Sequence, residues 1–130
     1  VLPECEVADE ILENPIAMRD LDLDNERKVT VAIGAPFPVD DAKEEFWCRY
    51  QIIGIGKGRI KKGIGIDALQ ALCIALYNVS NDLYFSDEYQ EGKLIWEGGM
   101  TIADLGLPVS DGMLENVREI KSQVEALKQQ

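Results

Sequence analysis

The chain has no histidine among its 130 residues, and that absence removes the commonest general base and the commonest transition-metal ligand together. Serine- and cysteine-based nucleophilic chemistry loses its usual partner, which leaves carboxylates alone to carry any catalysis. Cysteine is scarce as well. Cys5, Cys48 and Cys73 form an odd set without C-x-x-C spacing, which frames neither a disulfide scaffold nor a zinc site and suits a reducing compartment. The cytoplasm is therefore the expected location. No apolar run reaches the roughly 18 residues a membrane span needs, and the opening residues show no basic-then-apolar leader pattern. Positive charge is thin: 13 Lys and Arg against 24 Asp and Glu give a formal charge of −11 and a pI near 4.4. Such a surface repels phosphate backbones, so nucleic acid is not an expected ligand, whereas a basic protein partner is.

What is present is enough for one hydrophobic core: 46% of the residues are apolar, and the length fits a single domain. Residues 1–15 read as an N-terminal arm ended by Asn14-Pro15, residues 16–109 as an α+β core, and residues 110–130 as a C-terminal helix. The strongest local signal is Gly63-Ile64-Gly65-Ile66-Asp67-Ala68-Leu69-Gln70. Asp67 and Gln70, three apart, form a capping box that starts a helix. Beyond it Leu69, Leu72, Leu76, Val79 and Leu83 make an apolar stripe, and Cys73 lies among small or apolar neighbours, so a central buried helix is expected with an unreactive Cys73.

Alternation places strands at residues 16–23 and 28–33, with Asp24-Asn25-Glu26 as the turn of a hairpin. Pro36 and Pro38 are expected to close the second strand. Phe46 to Ile53, aromatic and β-branched, reads as a central strand. The glycine-rich basic turn around Gly54, Gly56 and Gly58 reverses the chain into a short strand before the helix, and residues 93–97 add a last one. The expected fold is thus an antiparallel sheet of four to five strands packed on the Asp67 helix, plus an amphipathic C-terminal helix. In that last helix Met113, Val117, Ile120, Val124 and Leu127 repeat at intervals of four and three, as in a coiled-coil seam.

Candidate chemistry is sparse. Asp20, Asp22 and Asp24 share one strand face but lack the glycine and glutamate of a calcium loop, so a solvated face is the better reading. Lys57, Arg59, Lys61 and Lys62 lend the glycine-rich turn the look of a phosphate loop, yet its spacing matches no phosphate motif and Asp67 guards the helix start. A solvated basic turn is expected there. Cys48, beside Arg49, alternates with Tyr50 and Ile52 and reads as a packed thiol. No catalytic residue, metal or cofactor is expected.

The order Gly65-x-Asp67-Ala68-Leu69-Gln70-Ala71-Leu72, Leu83-Tyr84, Leu94-x-Trp96 and Asp104-Leu105-Gly106-Leu107-Pro108 follows a strand with Val29, Val31, Ile33, Gly34 and Pro36. This series resembles a family of small bacterial proteins known only as a domain of unknown function, over about residues 16–109. The resemblance implies a shared architecture and supplies no activity. The function expected is a non-enzymatic protein-binding module, an acidic inhibitor or immunity-type partner of a basic protein, engaging it through Asp40, Asp41, Glu44 and Glu45. The alternative is a homodimeric structural or scaffold domain whose copies meet along Met113, Val117, Ile120, Val124 and Leu127.

Overall fold

The computed structural model describes residues 10–40 and 44–129. In chain order they form β1 (Ala17–Leu23), β2 (Arg27–Ile33), β3 (Phe37–Asp40), β4 (Glu45–Ile53), β5 (Lys61–Gly65), α1 (Ala68–Tyr84), α2 (Asp87–Gln90), β6 (Leu94–Ile95), a 3-10 turn (Asp111–Met113) and α3 (Leu114–Lys128). The fold is α+β. Its antiparallel sheet has the order β3-β4-β2-β1-β6, with β5 on the other side of β4, so six strands are present where four or five were expected.

The additional strand is β3, which forms despite Pro38. Gly34 N–H donates to Arg49 O at 2.8 Å, so the backbone polar groups of Arg49, and by alternation those of Trp47, face β2 and β3. Those of Phe46 face away, and Pro38 is the residue opposite Phe46. Its missing N–H therefore costs no ladder bond.

The chain divides into two compact units, the first from the described part of Val1–Arg19 with Val29–Ala75, the second from Asp20–Lys28 with Leu76–Gln130. In the first, β4 is the central strand, with Cys48 and Tyr50 buried on one face. Opposite them, β5 sets Gly63 against Cys48 and Gly65 against Phe46. These glycines bring β5 onto the backbone of α1. A Cβ on Gly63 would lie 2.5 Å from Ala75 N, and one on Gly65 would lie 2.5 Å from Ala71 N. The turn between β4 and β5 uses Gly54, Gly56 and Gly58 at positive φ, as the glycine-rich sequence implied.

That close approach decides which face of α1 is covered. Ala71, Ala75, Val79 and Leu83, spaced by four, are completely buried, whereas Leu69 is 70% exposed and Leu72 and Leu76 are half-buried. Of the stripe read from the sequence, Val79 and Leu83 are thus buried as expected, whereas Leu69, Leu72 and Leu76 give way to Ala71 and Ala75. Glycines at the two β5 positions that meet the helix select its small residues, not the most apolar ones. The cap is where expected: Asp67 Oδ1 accepts from Gln70 N–H at 2.7 Å, while Gln70 Oε1 reaches back to Ile66 N–H at 2.7 Å. Leu83→Ala is accordingly expected to cost about 2–5 kcal/mol in denaturant melts. Leu69→Ala should stay within about 0.5 kcal/mol, and equal costs would contradict this placement.

Of the two described thiols, Cys48 is packed as expected and Cys73 is not. Cys48 is buried, donates to Gly34 O at 3.3 Å and is pushed up in pKa by that burial. Cys73 is only half-buried, because it lies two residues from both Ala71 and Ala75 and so on the side of the helix away from β5, and Cys5 lies outside the described residues.

In the second unit, Asp22 and Leu23 of β1 pair with Ile95 and Leu94 of β6. Asp24 and Asn25 turn the β1–β2 hairpin at φ 57° and 61°. Tyr84 and Tyr89 meet edge-on with centroids 5.0 Å apart, Tyr89 Oη donates to Ala103 O at 2.6 Å, and Leu105 N–H donates to Tyr84 Oη at 3.0 Å. Along α3, Val117 and Val124 are buried, Met113 and Ile120 are half-buried, and Leu127 is 43% exposed. Lys121 Nζ stands 5.1 Å over the Tyr84 ring. Among the described residues no helix is long and apolar enough to cross a membrane.

Candidate interaction surface

The face of the first unit turned away from α1 is built by strand alternation. Trp47 pairs with Phe37 on one side and Ile64 on the other, and Arg49 pairs with Lys62. Directly opposed residues share a face, so these five side chains lie together. Each cation covers a ring: Lys62 Nζ is 4.2 Å from the Trp47 centroid, and the Arg49 guanidinium is 5.2 Å from that of Phe37. The indole N–H of Trp47 donates to Glu45 Oε2 at 2.7 Å. A hollow of about 230 Å³, lined by Glu10, Trp47, Arg49, Ile60, Lys61 and Lys62, opens beside this row.

Farther along β4, Gln51 is buried and spends its whole carboxamide on the backbone. Its Oε1 accepts from Leu12 N–H at 2.9 Å, and its Nε2 donates to Glu10 O and Gly58 O, each at 2.7 Å. This single side chain ties the start of the described chain to the β4–β5 turn.

At the C-terminal end of β5 the chemistry changes. A second shallow hollow of about 220 Å³ is lined by Glu44, Glu45, Ile64, Gly65, Ile66 and Gln70. Ile64 is 47% exposed and Ile66 67% exposed, with Leu69 following on the first turn of α1. The structure thus brings Glu44 and Glu45, two of the four acidic residues singled out in the sequence, beside exposed aliphatic side chains. Asp41 and the side chain of Asp40 lie outside the described residues.

Of the aspartates singled out on β1, Asp22 is occupied locally. Asp22 Oδ1 meets Lys28 Nζ at 2.6 Å, an exposed pair in which the ammonium holds the Asp22 carboxyl below its ordinary pKa and the carboxylate raises that of Lys28. Asp24 is in the turn, off the strand face that was to align it with Asp20 and Asp22. Among the described residues no group of three or more acidic or cysteine side chains is placed to hold a metal ion. The sequence reading took Lys57, Arg59, Lys61 and Lys62 as a solvated basic turn and did not join them to Arg49: residues 46–66 hold these five of the chain's 13 cations and not one of its 24 acids. That count was available from the sequence.

The residues of the resemblance converge on backbone architecture. Gly106 has φ +64°, and a Cβ there would fall 1.9 Å from Cζ3 of Trp96. Asp104 accepts from Gly106 N–H at 2.8 Å and from Met100 N–H at 3.1 Å, and Ser80 Oγ donates to Pro108 O. Trp96 and the Asp104–Pro108 segment thus fix one loop. Comparison with curated proteins gives no match, and neither does comparison with solved structures. A family model described as a domain of unknown function, DUF6968, matches residues 17–109, the span that holds the capped helix, the tryptophan and the glycine that seats it, and the chain belongs to that family.

Proposed function

We propose that this protein is a non-enzymatic protein-binding module. The observation that carries the proposal is the segment Ile64 to Leu69, which exposes Ile64, Ile66 and Leu69 at 47, 67 and 70%, the two isoleucines lining a hollow rimmed by Glu44 and Glu45. Exposed aliphatics beside carboxylates suit a partner that presents apolar side chains flanked by Lys or Arg. The formal charge of −11 adds long-range steering toward a basic protein, as an inhibitor or immunity-type protein would use it. A homodimeric scaffold joined along α3 has less surface to draw on, because Val117 and Val124 of that seam are already buried within the chain.

The test is a comparison of captured partners between the native chain and an Ile66→Asp, Leu69→Asp variant, with folding checked by circular dichroism. The native chain is expected to retain a basic protein whose affinity falls at least about tenfold with the variant. Its association should also slow with salt and with Glu44→Lys. Identical capture by both proteins, or binding indifferent to salt, would remove the reading.

A further inference from the structure

Toward its other end, β5 presents an edge of opposite charge that no strand among the described residues pairs with. Because Arg49 directs its backbone groups to β2 and β3, those of Phe46, Cys48 and Tyr50 face β5, where they meet Gly65, Gly63 and Lys61. The alternate residues, Lys62 and Ile64, therefore turn their N–H and C=O away from β4. The next donor in that outward row, Ile66 N–H, is taken by Gln70 Oε1 at 2.7 Å. The edge ends there. Lys61 and Lys62 are exposed, and Ile64 and Lys62 stand on the same face as Trp47 and Arg49.

We propose that this edge accepts an extended acidic segment of another protein as an added strand. Main-chain bonds to Lys62 and Ile64 would supply the attachment, an apolar side chain of the added strand would lie beside Ile64, and an acidic one beside Lys62. Charge selects this occupant: the 46–66 stretch carries five cations without one acid, in a chain whose remainder is strongly acidic. A second copy of the same edge is disfavoured, since pairing β5 with β5 would set Lys61 and Lys62 against their own kind. The site goes beyond the acidic rim proposed above; it shares Ile64 with that rim but does not depend on that reading.

The experiment uses the full chain and two synthetic peptides, Thr-Val-Thr-Asp-Thr-Val-Thr and the same sequence with lysine in place of aspartate, followed through the backbone amide resonances. The aspartate peptide is expected to bind about tenfold more tightly than the lysine peptide and to slow hydrogen exchange at Lys62 and Ile64. Lys62→Glu should reverse the preference. Of two aspartate peptides N-methylated on alternate residues, one should lose binding and the other keep it, since only one row of amides faces β5. Binding of neither peptide, equal binding of both, or equal effects of the two methylation patterns would overturn the proposal and leave the lysines as guards of a bare edge. The Ile66→Asp, Leu69→Asp variant should bind the peptide as the native chain does, so the two readings fail separately.

Discussion

Gly106→Ala is expected to lower stability by about 2–5 kcal/mol, combining a left-handed backbone that disfavours a Cβ with overpacking against an aromatic ring. The geometry leaves little room for relief. Trp96 approaches from the side where the new methyl would stand, with Cζ3, Cε3 and Cη2 at 1.9, 2.6 and 2.6 Å from it. The backbone cannot simply rotate to φ < 0, because Gly106 N–H is held by Asp104 Oδ1 at 2.8 Å. A denaturant titration should show the midpoint moving at constant slope. Trp96→Ala in the same background should recover part of the loss, since it removes the clash, and additive losses would contradict the contact.

Gly63→Ala is the second large effect, expected at about 1–3 kcal/mol or more. Here the obstacle is backbone: Ala75 N at 2.5 Å and Ala71 O at 2.9 Å. A main chain cannot change rotamer, so β5 and α1 must separate or the strand must slip. Thr30→Ala, on half-buried β2, is a suitable control and should cost less. The thermal midpoint reads the difference, and a loss at Gly63 no larger than at Thr30 would refute the backbone-on-backbone packing.

These two glycines also show where the sequence stops being legible. The Asp67 cap, the β1–β2 turn and the aromatic β4 strand were readable because each is settled within a few neighbouring residues. The covered face of α1 was not, since it depends on Gly63 and Gly65 of β5 having no side chains, and an apolar scale ranks leucine above alanine whatever approaches. Pro38 argued against β3, and only the hydrogen-bond parity of β4 makes it harmless there. Gly106 looked like a fold marker without a partner, because Trp96 lies ten residues earlier and meets it only once the loop is closed. On the candidate surface, Glu44 and Glu45 were named from charge alone. The aliphatic half of that surface was assigned to the core, through Leu69, so its exposure could not be foreseen.

Trp47 gives the molecule an optical consequence. Its indole N–H is bonded to a carboxylate, an ammonium rides over its ring, and it lines the hollow beside the β5 edge. The emission of an indole depends on charges held above and beside it, so displacing Lys62 or Glu45 should shift Trp47 fluorescence. The other tryptophan, Trp96, is pressed against Gly98 and Gly106, outside that hollow's lining. The chain therefore carries its own dye at the place where a partner strand would arrive, and arrival is readable as a colour change without any label.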